Sequence, residues 1–366
     1  QAGQLGDLVL DELAHPGLVE VLEHADHRGV FAVHHAECIV DVDLAQAAQR
    51  QREVVGPGLL ARVEPQVLDD QQTTVLKLLG QVLDVRTDGV VVIHRGQVIY
   101  ENYGRGFEQQ NPHLTWSVSK SFLNALVGIG VRKGLLTLDD SACDYYDYVD
   151  DCDITVGALL NMGSGLDWNE GYEDDPYHLS SVIAMLYGVG ALDMARFTGE
   201  HETESAPGTV YRYSSGDSNL LAAVLAGAME EGERNDYPWT WLFDRIGMDT
   251  TVFEQDAAGT FIASSYVYAT PREMARFGYL YQNDGCWDGT RLLPEGWVEQ
   301  SVAVNPVFMN EYSFEWDRDG DQVPGSHFWV NRSIPAMAHD RRWSDVPEDA
   351  YQASGHWGQT ITVIPS

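Results

Sequence analysis

Apolar and polar positions become legible as secondary structure only past about residue 88. Val90 to Ile93 and Gln97 to Tyr103 are apolar-rich runs on either side of Arg95-Gly96, a spacing that predicts a β-hairpin. Phe122, Leu126 and Ile129, with Leu123 and Val127 between them, leave no polar face, which predicts a helix buried all round. Shorter helices are expected at Met185 to Phe197 and Asn219 to Met229, among polar and glycine-rich stretches that continue to about residue 300. His327 to Asn331 and Thr360 to Ile364 return to strand-like patterning. A hairpin, then helices, then strands predicts a helical insertion inside an α+β layer.

The first 72 residues read differently. They contain no Ser, Thr, Asn, Lys, Tyr or Trp and one aromatic, Phe31, in a chain that is 10% aromatic. Ser, Thr and Asn normally supply helix caps and turns, so their absence predicts that much of 1–72 stands outside the fold, as an out-of-frame segment would. Residues 73–366 are then the working domain. His24, His27, His34 and His35 gather near Cys38, but their spacing matches no zinc pattern, so no metal is expected.

Charge narrows the partners. Lys and Arg number 22 against 56 Asp and Glu, a net charge of −34. Such a field repels phosphate backbones and argues against nucleic-acid binding. The only lysines are Lys77, Lys120 and Lys133. A salt-rich habitat and a base-composition bias favouring Arg over Lys both account for that surface. No apolar run is long enough to span a membrane. Four cysteines are too few for a disulfide scaffold. Cys143 and Cys152 bracket a short acidic loop and could pair in an oxidising compartment, whereas Cys38 and Cys286 have no obvious partners.

The buried helix opens with Ser117-Val118-Ser119-Lys120. Residues three apart share a helical face, so the Ser117 hydroxyl and the Lys120 amine meet there. A serine hydroxyl needs a neighbour to take its proton, and an amine in an apolar pocket loses stability as ammonium. A lysine in so apolar a helix is otherwise expensive. Two further groups follow: Tyr213-Ser214-Ser215, after Ala206-Pro207-Gly208-Thr209, and His356-Trp357-Gly358-Gln359.

In this order the three groups resemble the serine β-lactamase and penicillin-binding-protein superfamily. There Ser-x-x-Lys is followed by Tyr-x-Asn or Tyr-x-Ser, then by Lys-Thr-Gly or His-x-Gly on a strand. Leu159-Leu160-Asn161-Met162-Gly163-Ser164-Gly165-Leu166-Asp167-Trp168 and Ala269-Thr270-Pro271-Arg272-Glu273-Met274-Ala275-Arg276-Phe277-Gly278 are also similar to segments of that family. The resemblance runs from about residue 86 to the last residue. Within the superfamily the Tyr-x-Ser variant is most similar to 6-aminohexanoate-dimer hydrolases and related carboxylesterases. Ser215 and His356 depart from the Asn and Lys of class C β-lactamases.

The resemblance implies a β-lactamase/transpeptidase-like α+β fold: a mainly antiparallel sheet flanked by helices, with a helical lobe at about 135–260. It implies hydrolysis of a small-molecule amide or ester through an acyl-serine, without cofactor. Ser117 is the expected nucleophile, and Tyr213 or Lys120 the base, with the Lys120 ammonium holding the Tyr213 pKa down. The backbone N–H groups of Ser117 and Gln359 would form the oxyanion hole. Ser215, His356 and Gly358 would line the substrate. Glu170 lacks the Glu-x-x-Leu-Asn context of a deacylating glutamate and reads as a solvated surface acid. Asp174, Asp175 and Asp256 read as loop acids, and Trp329 as core or cleft. The competing readings are a class C-like β-lactamase, a DD-peptidase, and a member without turnover that binds acyl ligands. In the family a partner strand and helix follow Thr360 to Ile364, so a chain ending at Ser366 is expected to be truncated, with an unpaired sheet edge beside the site.

Overall fold

The computed structural model describes residues 36–41, 87–172, 180–310, 322–337 and 339–365, all within the unit Ala32–Ser366. The histidine cluster before Cys38 lies outside the described residues, as do Asp174 and Asp175.

Strands β1 (Ala36–Asp41), β2 (Gly89–His94) and β3 (Gln97–Tyr103) share one seven-stranded sheet with β9 (Val323–Pro324), β10 (Trp329–Val330), β11 (Tyr351–Gly355) and β12 (Gln359–Ile364). Their order is β3-β2-β1-β12-β11-β10-β9. The β2–β3 hairpin forms as the pattern predicts, turning through Arg95 (φ 51°) and Gly96 (φ 75°). Alternation along β2 sends Val91 and Ile93 into the main core and Val90 and Val92 to the opposite face, with Tyr100 and Ile364.

One strand departs from expectation. β1 comes from the compositionally odd first segment, yet it pairs in parallel with β2 on one side and with β12 on the other, Glu37 facing both Val90 and Thr360. The unpaired edge expected at β12 is therefore occupied, because β12 has β11 on its other flank. A small second sheet joins β4 (His113–Leu114), β5 (Val252–Phe253) and β6 (Val267–Ala269) in the order β4-β6-β5, and β7 (Cys286–Trp287) pairs with β8 (Thr290–Arg291).

Helix α1 (Val118–Lys133) is the buried helix, thirteen of its residues being shut off from solvent. Arg132 and Lys133 complement its C-terminal dipole, and Gly134 caps it in the left-handed region. Gly128 has a packing reason to lack a side chain: a Cβ there would stand 2.7 Å from the Trp297 ring. Buried Asn124 ties α1 to its surroundings. Its Nδ2 donates to Ser326 O, and its Oδ1 accepts from Tyr281 Oη, Trp297 Nε1 and Ser301 Oγ.

The helix expected at Met185 to Phe197 is two: α2 (Ser181–Tyr187) and α3 (Met194–Gly199). Gly188 and Gly190 break the first, the latter tight against Phe197 and the Met185 backbone, and Asp193 caps the second by accepting from Arg196 N. α4 (Ser215–Gly227) begins four residues earlier than its pattern suggested, capped by Ser214. α5 (Pro271–Gln282) carries a complete capping box, Thr270 with Glu273, and packs on β1, β2 and β12. The strand predicted at His327 to Asn331 shrinks to Trp329–Val330, because His327 turns at φ 64°. Cys143 and Cys152 are joined by a disulfide, and Cys286 is free. No helix among the described residues is long and apolar enough to cross a membrane.

Candidate active site

Ser117 stands at the start of α1, after Trp116, whose φ of 49° is unusual for a bulky residue. A serine there would ordinarily cap the helix with its hydroxyl. Ser117 makes no such bond, and its Oγ lies 3.0 Å from Lys120 Nζ. Lys120 is buried, and its other two contacts are Ser215 Oγ at 3.0 Å and the carbonyl of Ser264 at 2.9 Å. Burial brings its pKa down to about 8, with the Glu170 charge pulling the other way. Tyr213 faces the same point: Lys120 Nζ lies 5.0 Å from its ring centroid, and the Tyr213 ring stacks on Trp329 at 5.7 Å.

The expected effect of Lys120 on Tyr213 is not what the structure gives. Burial, reinforced by the Glu170 charge, raises the Tyr213 pKa well above that of a free phenol, against a hydrogen bond to Ser117. Around pH 8, therefore, Tyr213 is a neutral phenol while Lys120 is poised between ammonium and amine.

Glu170 is the main correction. It is no surface acid but a hub: its Oε1 accepts from Ser215 Oγ at 2.5 Å and Tyr172 Oη at 2.6 Å, and its Oε2 from Trp168 Nε1 at 2.6 Å and Ser215 N at 2.9 Å. The Ser215 N–H belongs to the first turn of α4, where the helix dipole favours an anion. The neighbouring start of α4 is pinned by buried Asp217, which accepts from Ser214 Oγ and Ser164 Oγ, each at 2.9 Å. Burial lifts its carboxyl to about pH 6. Asp256 does organise a loop, accepting from the backbone of Met194, Ala258 and Thr260.

The opposite wall comes from the C-terminal hairpin. Gly355, at the end of β11, approaches so closely that a Cβ would stand 2.2 Å from Thr115 O and 3.1 Å from Ser117 N. Gln359 is paired across the hairpin from Gly355, and His356 and Gly358 occupy the turn between them. His356 stacks on Tyr172 at 5.6 Å, and Trp116 meets both His356 and Trp357 edge-on. The solvent-open cleft beside Ser117 is lined by Lys120, Tyr213, His327, Trp329 and Ser354 among others. His327 Nδ1 donates to Lys120 O at 2.8 Å, and burial with the nearby ammonium lowers the His327 pKa to about 3.

Ser117, Lys120, Tyr213 and Ser215 are thus brought into one constellation, with His356 and Gly358 in the hairpin turn beside it. The sequence assigned Glu170 to the surface and gave no role at the site to Tyr172 or His327. Trp168 ends a recognisable segment, but nothing local shows that the chain just after it, at Glu170, curls back onto α4.

The sequence model of the family described as Beta-lactamase matches residues 75–366. The chain belongs to the Beta-lactamase family. A 6-aminohexanoate-dimer hydrolase from Paenarthrobacter ureafaciens is 28% identical to this family member over 290 residues, covering 71% of this chain and 67% of the relative. Three solved structures share its fold. A Bacillus anthracis protein described as a candidate 6-aminohexanoate-dimer hydrolase superposes with a TM-score of 0.63 at 22% identity, covering 78% of this chain and 73% of its own. The octameric penicillin-binding protein homologue from Pyrococcus abyssi gives 0.56 at 16%, covering 80% and 70%. EstCE1, a hydrolase with promiscuous acyltransferase activity, gives 0.57 at 16%, covering 80% and 90%.

Proposed function

We propose that the protein hydrolyses an amide or ester bond of a small molecule through an acyl-serine, in the manner of a 6-aminohexanoate-dimer hydrolase or carboxylesterase. The observation that carries this reading is a buried lysine, pKa near 8, with its Nζ 3.0 Å from the Ser117 hydroxyl. The amine takes the Ser117 proton as Oγ bonds to the substrate carbonyl carbon. The tetrahedral oxyanion is held by the Ser117 N–H and a hairpin N–H, assigned to Gln359. The bond to the leaving amine or alcohol then breaks, and that group departs with the proton, handed over through the neutral Tyr213 phenol. Water repeats the sequence on the acyl-serine, releasing the acid and restoring Ser117.

Ser117→Ala removes one small hydroxyl, so it should fold normally and lose turnover of p-nitrophenyl esters. A variant retaining more than a few per cent of the wild-type rate would remove Ser117 from the nucleophile's role. Nitrocefin, 6-aminohexanoate dimer and D-aminoacyl amides in the same screen separate the β-lactamase and DD-peptidase alternatives from the preferred one. Ser215, in the place of the class C asparagine, argues for slow β-lactam turnover.

A further inference from the structure

Three groups surround Lys120 Nζ, and only one of them is free to give it a proton. The carbonyl of Ser264 is an acceptor and fixes one N–H. Ser215 Oγ could serve either way, but it also contacts Glu170 Oε1 at 2.5 Å, and a carboxylate only accepts. The Ser215 proton therefore goes to Glu170, leaving its oxygen to accept a second N–H from Lys120. The remaining hydrogen bonds at Glu170 also come from donors, namely Trp168 Nε1, Tyr172 Oη and Ser215 N, so the direction of this chain cannot reverse. As ammonium, Lys120 gives its third hydrogen to Ser117. As an amine it keeps the first two bonds, and its lone pair falls on Ser117 Oγ at 3.0 Å.

We propose that Glu170 is a positioning residue that, by taking the Ser215 proton, fixes the polarity of the Glu170–Ser215–Lys120 chain and turns the Lys120 lone pair onto Ser117. This rests on the acyl-serine reading above and explains what Glu170 contributes to it. In the step itself the Ser117 proton moves to Lys120 Nζ while the new bond forms between Oγ and the carbonyl carbon. Glu170 neither gains nor loses a proton.

Glu170→Gln retains the size of the side chain but can offer an N–H to Ser215, which frees the Ser215 hydroxyl to point at Lys120. Among the described residues, the titratable groups that bear on Lys120 are Glu170, the neutral phenol of Tyr213, and His327, held neutral against its backbone, while the neutral Tyr172 phenol bonds Glu170. Removing the one anion among them should let Lys120 deprotonate at lower pH. With only three lysines in the chain, 13Cε-lysine NMR follows that titration without any substrate.

Two readouts are then expected to move in opposite senses. The Lys120 titration falls in Glu170→Gln, while the plateau rate of Ser117 labelling by a fluorophosphonate drops roughly 10²-fold, the cost of a misdirected reacting group. Glu170→Asp, which keeps the acceptor, should recover part of the rate. Ser215→Ala should lose about as much as Glu170→Gln, and the double variant no more than either. An unmoved Lys120 titration, a labelling plateau within about threefold of wild type, or multiplicative losses in the double variant would each overturn the proposal. Wild-type protein unlabelled at Ser117 would refute the acyl-serine reading instead, and the lysine titration would still decide whether Glu170 governs Lys120.

Discussion

As the proposed base, Lys120 would set the pH at which this site works. Its folded pKa, about 8, is lowered from 10.5, so the base form is reached on raising the pH through 8. Ester hydrolysis should therefore climb about tenfold between pH 7 and pH 9, because the neutral fraction of a group titrating at 8 rises by that factor. A rate flat across that range would place the base elsewhere. The same shift has a stability side. Between pH 8 and 10.5 the unfolded chain binds more protons at this lysine than the folded one, so Lys120's contribution to stability improves as pH rises through that window. Tyr213→Phe removes the proposed proton donor to the leaving group and should cost 10²–10⁴ in rate, roughly the size of general acid–base assistance. A twofold loss would leave Lys120 to handle both proton transfers.

At the scale of the elements, α1 is tied to its surroundings through one buried polar residue, Asn124. Asn124→Ala would orphan the buried Tyr281 hydroxyl, the Trp297 indole N–H and the Ser326 carbonyl together, at a cost of about 2–4 kcal/mol. Urea unfolding should show a lower midpoint at unchanged slope, and an unshifted midpoint would mean that water takes over these partners. This helix and the β2–β3 hairpin were legible in the sequence because their signals are local: an apolar stretch with a lysine at its head, and two strands around Arg95-Gly96. The division between α2 and α3 was less so, since apolar periodicity runs on past Gly188 while the packing of Gly190 against Phe197 ends the helix. β1 could not be foreseen from composition, its role coming from partners far away in sequence. The core of the site was legible because Ser117 and Lys120 share one helical turn. Glu170 was missed for the opposite reason: its meaning lies in Ser215, which the chain reaches only after a long excursion.

Across the whole molecule, charge dominates. At −34 the folded state repels itself, and added salt screens that repulsion over a few ångströms. The melting temperature should rise from dilute buffer to molar NaCl. A flat curve would favour biased base composition as the origin of the lysine-poor surface.

The close approach of Gly355 to the Ser117 turn joins two parts of the chain that are made far apart in time. During synthesis the helix bearing Ser117 leaves the ribosome well before the hairpin that walls its site. Contacts of such long range are slow to close. On the proposed mechanism, a nascent chain should therefore carry Ser117 present but inert through a long stretch of translation, acquiring reactivity only once that hairpin has emerged and docked. Such a delay would keep the proposed nucleophile from being acylated by small molecules until the surroundings that discipline it are in place.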